Sequence, residues 1–534
     1  MLPVRRYVNA RTRIELLASV AVAVLGFGVA SFGAEPISVA PAKMPRIGTV
    51  DERFQSFNIE MVEVTGGRFW APYRKPGSAA PEPTPAAKLS MPGIDPTLFR
   101  TRPPIDLANP RLRSLAAALG PAYVRVSGTW ANSTYFHDSD DPAPATPPVG
   151  FGGVLTRQQW RGVVDFSHAV DARIVTSFAV RAGVRGADGV WTADQARKFL
   201  AFTKASGGSI AAAEFFNEPT FAAMGGAPKG YDGAAYGRDF SVFLSFAREA
   251  APDMVILGPG SIGEATPMAG GLSLLRTEDM LTAAGRGVNA FSYHFYPAVS
   301  KRCAFMGGAT QTTEAAALTE DWLSRTDRDE AFYAAMRDRF EPGKPLWLTE
   351  TGEAACGGNP WAASFIDSFR YLDQLGRLAK RGVQVVAHNT LAASDYGLID
   401  EATLTPRPNY WSAVLWRRLM GNTVLDPGTS PTPGAHLYAH CLRDRPGGVA
   451  VLAINFDRET PQDLAAALPY ARYTLTSKDL LGSSVELNGR ELKTGAHDAL
   501  PEMTGKPERA GRTTLAPASI TFLAFPNAGN PSCR

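Results

Sequence analysis

Residues that bind metals are scarce in this chain, and neither sign of charge dominates. Seven histidines and four cysteines are spread over 534 residues. There is no Cys-x-x-Cys pair and no histidine cluster, so no metal site and no cofactor are expected. Lys and Arg number 54 against 51 Asp and Glu, a formal net charge of +3. So even a balance argues against a nucleic-acid partner, although it allows a locally basic cleft. No internal repeat is visible, and beyond the N-terminal segment there is no apolar run long enough to span a membrane.

That first segment carries Arg5, Arg6, Arg11 and Arg13 ahead of an apolar stretch from Leu16 to Phe32 that ends in small residues. This is the layout of a secretory signal peptide, so residues 1–34 are expected to be removed and the protein to be secreted or periplasmic. The alternative is an uncleaved anchor. In an oxidising compartment the four cysteines should pair. Cys303 and Cys356 fall in the larger region while Cys441 and Cys533 flank the C-terminal one, so one bridge in each is the economical choice among three connectivities; buried free thiols are the alternative.

With 45% apolar residues the chain can fill one large core and a smaller one. Short apolar strands are expected at Ser56–Val62, Tyr123–Ser127, Arg173–Val180, Ala212–Phe216, Met254–Gly258, Ala290–Tyr296, Pro345–Glu350 and Val383–Thr390. Amphipathic helices are expected at Gln158–Val170, Thr192–Ala205, Gly237–Ala250, Glu314–Asp338 and Phe365–Arg381. Eight βα units predict an α/β fold, a (β/α)8 TIM barrel over residues 56–420. After 420 the pattern becomes short alternating segments at His436–Leu442, Val449–Phe456, Arg472–Thr476, Val485–Leu492 and Ser519–Phe525, read as a C-terminal β-sandwich domain. The proline-rich stretches Pro72–Pro85 and Asp141–Pro148 read as surface loops.

Barrel active sites gather at the carboxyl ends of the strands. Strand four leads into Asn217-Glu218-Pro219, and strand seven ends at Glu350. Two glutamates on one rim suit glycoside hydrolysis, with Glu218 as acid/base and Glu350 as nucleophile. A single strand-end acid is more often a partner in a surface ion pair. Glu218 must hold a proton near working pH, which burial and a neighbouring Glu350 charge would favour.

Asn-Glu-Pro after strand four resembles the acid/base signature of a large clan of barrel glycosidases, in which the preceding Asn, here Asn217, bonds the sugar 2-hydroxyl. The resemblance narrows with Leu-Gly-Pro-Ala-Tyr-Val-Arg-Val-Ser-Gly-Thr at 119–129, Asn-Glu-Pro-Thr at 217–220, Trp-Leu-Thr-Glu-Thr at 347–351, Cys-Gly-Gly at 356–358 and Asp-Tyr-Gly-Leu-Ile-Asp at 395–400. Tyr-Ala-His-Cys at 438–441 and Ser-Val-Glu-Leu-Asn-Gly at 484–489 extend it into the sandwich. Together these resemble heparanases and their relatives in glycoside hydrolase family 79. The resemblance implies a retaining β-glucuronidase acting on an acidic polysaccharide or glucuronide. It further implies a uronate carboxylate held by Gly357, Gly358 and Tyr396, a Tyr296/His294 pair beside the nucleophile, and sugar contacts from Glu60 and Asn389. It also implies a Cys441–Cys533 bridge, and a sandwich completed by the segment after the signal, making residues 35–55 plus 421–534 one domain.

Animal heparanases carry a removable linker after strand two. Here only the short Asp138–Gly153 loop stands in its place, which implies activity without proteolytic maturation. Their basic clusters are also missing, since residues 261–286 offer only Arg276 and Arg286. Arg181, Arg185, Lys301 and Arg302 are the cations that could line the cleft instead. Three functions stay open: a β-glucuronidase, endo on heparan-type chains or exo on terminal glucuronic acid; a clan relative acting on neutral sugars; and a non-catalytic carbohydrate-binding barrel. A monomer is expected.

Overall fold

The computed structural model of the chain describes residues 35–73, 96–266, 274–306, 311–428 and 434–534. The expected signal segment and most of the Pro72–Pro85 loop lie outside them. Eight parallel strands close into a barrel in chain order: Gln55–Glu60, Ala122–Ser127, Ala172–Ser177, Ile210–Glu214, Val255–Ser261, Ala290–Phe295, Leu346–Thr351 and Val385–His388. The eighth pairs with the first, setting Val386 against Gln55. Side chains alternate between the interior and the helix layer. Tyr123, Val175, Ala212, Leu257, Ala290, Trp347 and Val385 form one apolar layer that plugs the barrel.

Helices at Arg157–Ala169, Asp194–Ala205, Gly233–Ala250, Thr277–Ala284, Arg325–Phe340, Phe365–Lys380 and Pro408–Leu419 cover the outside. Three elements differ from the sequence expectation for local reasons. The first strand stops at Glu60, because Glu63 Oε1 accepts the Glu60 N–H at 3.0 Å and starts a helix at Met61–Thr65. The helix expected over Glu314–Asp338 is two helices, Glu320–Leu323 and Arg325–Phe340, the first capped by the Thr319 side chain on the Trp322 N–H. The expected strand Val485–Leu492 is a hairpin, Glu486–Leu487 with Arg490–Glu491, turning through Asn488 and Gly489, both at positive φ.

The last barrel helix runs directly into the strand Met420–Leu425, which pairs on one side with Ala435–Leu442 and on the other with Arg46–Thr49. A second, three-stranded sheet joins Ile37–Val39 to Gln462–Ala466 and Gly511–Leu515. The N-terminal segment therefore supplies a strand to each sheet. Val449–Asn455 is buried along its whole length. Val449, Val451 and Ala453 face the core between the sheets, while Ala450, Leu452 and Ile454 join the barrel core. Burial on both faces explains why this strand reads as unbroken apolar sequence.

Where sheet meets barrel, the contact is also polar. Asp373, on the Phe365–Lys380 helix, accepts from Tyr438 Oη at 2.6 Å and Arg377 Nε at 2.6 Å, and faces His436 Nδ1 at 2.6 Å. Burial opposes its charge, but His436 and Arg377 hold its carboxyl below the usual range. Its stabilising contribution is therefore present above the ordinary carboxyl pKa and is lost as pH falls through the lowered one. Asp373→Ala should cost about 3–5 kcal/mol near neutral pH, read from urea midpoints. That difference should shrink on acidification, and a difference independent of pH would contradict this assignment.

Candidate active site

One step above the apolar plug the barrel interior becomes polar. Arg125 lies two residues beyond Tyr123 and Glu214 two beyond Ala212, so each faces inward like its predecessor. The Arg125 guanidinium is buried. Its Nη2 donates to Glu214 Oε2 at 2.8 Å and to Asn217 Oδ1 at 2.8 Å, and its Nη1 donates to Glu350 Oε2 at 2.7 Å. Burial raises the cost of the Glu214 charge, but Arg125 and His294 hold its carboxyl far below the usual range, and Thr349 Oγ1 donates to its other oxygen at 2.6 Å. Arg125 thereby connects strands two, four and seven.

Glu350 receives a second donor, Tyr296 Oη at 2.9 Å on Oε1. Glu218 lies beyond the fourth strand in a left-handed conformation, φ 49°, on a turn that Asn132 secures. The Asn132 side chain accepts from the Asn217 N–H at 2.8 Å and donates to the Asn217 carbonyl at 2.9 Å. His294 Nδ1 lies 3.1 Å from Glu218 Oε1, and its Nε2 lies 3.2 Å from Arg125 Nη2 and 3.6 Å from Glu214 Oε1. Burial works against a charged ring, yet Glu350 and Glu214 push its pKa up to about 9. For Glu218, burial and then the Glu350 charge push the carboxyl up, against the His294 hydrogen bond.

One oxygen of Glu218, one of Glu350 and one nitrogen of His294 lie within 4.8 Å of one another, the metal-like trio found among the described residues. Arg125 and the His294 ring already supply positive charge there. The cleft around the trio is lined by Glu60, Trp70, Trp130, Asn217, Tyr296, Asn389 and Tyr396, among others. Asn389 Nδ2 sits 3.0 Å from Glu60 Oε1, 2.9 Å from Tyr296 Oη and 3.2 Å from Tyr396 Oη. Burial and the Glu350 charge raise the Glu60 carboxyl well above its usual range. A Cβ at Gly128 would lie 1.5 Å from Glu60 Oε2, so only glycine leaves room for that carboxyl.

Both expected disulfides are present, Cys303–Cys356 and Cys441–Cys533. The first ties the loop after strand six to the loop after strand seven, and Cys356 itself lines the cleft. Gly357 and Gly358 do not line it. They pack against Trp70, Ser394, Ala362 and Tyr396, and the Gly358 N–H is bonded to the Ala354 carbonyl at 3.1 Å. The Gly357 N–H has no acceptor among the described residues. Of the four cations proposed for the cleft, Arg185 pairs with Asp239 at 2.7 Å and Arg302 with Asp395 at 2.5 Å, Lys301 is exposed, and Arg181 lines a neighbouring hollow.

The residues that sequence reasoning passed over are Arg125, Glu214, Asn132 and the tryptophans Trp70 and Trp130. Arg125 did leave a signal: a charge flanked by Val124 and Val126 in a strand buried on both faces requires a buried partner. Removing the His294 hydrogen bond should raise the pH at which Glu218 loses its proton. Glutamate carboxyl NMR on His294→Gln, assigned with Glu218→Gln, checks this; an unchanged or lower titration point would contradict the geometry.

No protein-family model matches the chain. It is 28% identical over 491 residues to heparanase of Mus musculus, covering 80% of this chain and 88% of that protein. It is 25% identical over 480 residues to hyaluronoglucuronidase of Hirudo nipponia, covering 80% and 92%, and 24% identical over 497 residues to heparanase-like protein 1 of Arabidopsis thaliana, covering 80% and 86%. Among solved structures, a 4-O-α-L-rhamnosyl-β-D-glucuronidase from Fusarium oxysporum aligns with TM-score 0.60 at 14% identity, covering 92% of this chain and 100% of that one. A family 51 arabinofuranosidase from Xanthomonas axonopodis aligns with TM-score 0.58 at 17% identity, covering 90% and 97%; both show the shared barrel architecture. With the two-glutamate cleft set in that architecture, the chain is similar over 80% of its length to heparanase and heparanase-like proteins.

Proposed function

We propose that the protein is a retaining endo-β-glucuronidase that cleaves glucuronic-acid-containing polysaccharides such as heparan sulfate. The observation that carries this reading is the approach of Glu218 and Glu350 to within 4.8 Å in one cleft. An approach this close between one oxygen of each carboxylate supports the short carboxyl separation, about 5–5.5 Å, of double displacement. The names of the relatives, heparanase and hyaluronoglucuronidase, support the uronic acid.

Glu350, aimed by Arg125 and Tyr296, attacks the anomeric carbon. Glu218 protonates the departing oxygen. Because Oε1 of Glu218 faces the His294 Nδ1–H, the transferable proton sits on Oε2. Once Glu350 is an ester its negative charge is gone, and with it one of the influences that raise the Glu218 pKa. The same carboxyl then becomes a better acid, and its conjugate base is left ready to deprotonate water for the second step. Asn217, its Oδ1 taken by Arg125, has its amide nitrogen available for a sugar hydroxyl. The Tyr396 hydroxyl, on the cleft wall, is the donor for the uronate carboxylate.

No helix among the described residues is long and apolar enough to cross a membrane. The two disulfides and the leader-like N-terminus support action outside the cytoplasm. Purified protein should hydrolyse 4-nitrophenyl β-glucuronide and shorten size-resolved heparan sulfate, while Glu350→Gln does neither. Glu218→Ala should lose about 10²–10⁴-fold on poor leaving groups and far less on good ones. Turnover of the small uronide without chain shortening would mean exo action, and activity confined to glucosides or xylosides would overturn the reading.

A further inference from the structure

A second hollow adjoins the catalytic cleft. Gly225 lines the cleft and its neighbour Gly226 lines the hollow, together with Gly150, Phe151, Arg181 and Pro228. Arg181 lies where the chain leaves the third barrel strand. Its backbone N–H and that of Val180 both donate to the Asn132 carbonyl, at 3.3 and 2.9 Å. The side chain of that same Asn132 grips the turn carrying Asn217 and Glu218. One residue therefore sets the spacing between Arg181 and the proposed proton donor.

Two glycines make room for the Arg181 side chain. A Cβ at Gly226 would come within 2.8 Å of its Cγ, and one at Gly152 within 3.0 Å of its Nη1. Its guanidinium meets no carboxylate among the described residues. The nearby Arg185 differs: its charge is matched by Asp239, and it lies over the Tyr231 ring at 5.3 Å. A guanidinium with no carboxylate partner among the described residues, on the wall of a concave surface, is suited to a planar anion.

We propose that this hollow binds an anionic substituent, carboxylate or sulfate, of the sugar chain on the leaving-group side of the scissile bond, with Arg181 as the binding residue. The assignment of side rests on the glycosidase reading above. The proton donor stands over the departing oxygen, and the hollow continues from the turn that carries Glu218. Glu60, Asn389 and Tyr396, the contacts for the other sugar, come from strands one and eight and the loop that follows. Arg181 would thus select for a charged polymer and be silent toward a small aryl leaving group.

The test compares wild type, Arg181→Gln and Arg181→Lys on 4-nitrophenyl β-glucuronide, on an unsulfated polymer of alternating glucuronic acid and N-acetylglucosamine, and on heparan sulfate. Calorimetry of both polymers on Glu350→Gln, with and without Arg181→Gln, reads binding without turnover. Arg181→Gln should leave the aryl glucuronide within about two-fold, raise KM for polymer by roughly ten-fold with kcat little changed, and weaken binding to match. Arg181→Lys should recover part of the loss. An effect on both polymers identifies a carboxylate, and one confined to heparan sulfate identifies a sulfate. Unchanged polymer binding, or an equal loss on the aryl glucuronide, overturns the proposal. If wild type turns over no uronide at all, the glycosidase reading fails, while the calorimetric comparison still decides the role of Arg181.

Discussion

A guanidinium buried near the mouth of a barrel must be matched by negative or polar groups around it, and Arg125 is so matched by Glu214, Glu350 and Asn217. Leaving any of these charges unpaired in such surroundings would cost several kcal/mol. The network therefore fixes more than one side chain at a time. It holds Glu350 in one orientation, turns the Asn217 amide, and backs the imidazole that faces Glu218. Glu214 is kept ionised so that Arg125 can be cationic, and the excess negative charge falls on the groups above it. Burial first, and then the Glu350 charge, raises the carboxyls of Glu60 and Glu218. The pH behaviour of the cleft thus follows from burial together with the charges grouped around one arginine.

The rest of the chain holds that pattern still. The apolar layer from Tyr123 to Trp347 keeps water from reaching Arg125 through the barrel floor. The Cys303–Cys356 bridge and the Ser394 hydroxyl on the Gly357 carbonyl at 3.0 Å clamp the loops on the far wall. The larger sandwich sheet is buried against the barrel helices on one face and against the small sheet on the other, so the helix Phe365–Lys380 has a fixed support behind strand seven.

Much of this was legible in the sequence because the period of the apolar residues changes at the right places. Eight short apolar runs separated by helical stretches give the barrel, and Glu218 and Glu350 stand out because acids at strand ends four and seven share a rim. What was not legible has a common cause. Arg125 and Glu214 read as interruptions of apolar strands, since their meaning lies in contacts 89 residues apart. The early end of strand one, the break at Ser324 and the Asn488-Gly489 turn depend on single capping or turn residues that a periodicity window averages away. The turn at Gly357 and Gly358 is a further case: the Cys-Gly-Gly pattern does not reveal that the Gly358 N–H bonds the Ala354 carbonyl at 3.1 Å.

The central claim is that Glu350 is the nucleophile of a double displacement. The most direct measurement is mass spectrometry of peptides after exposure to a 2-deoxy-2-fluoro-β-glucuronide with a good leaving group, whose glycosyl-enzyme ester turns over slowly. A stoichiometric glucuronyl adduct on the peptide bearing Glu350, absent in Glu350→Gln, is the result this account predicts. An adduct on another carboxyl, or turnover of the reagent to the inverted product with no adduct, would contradict it.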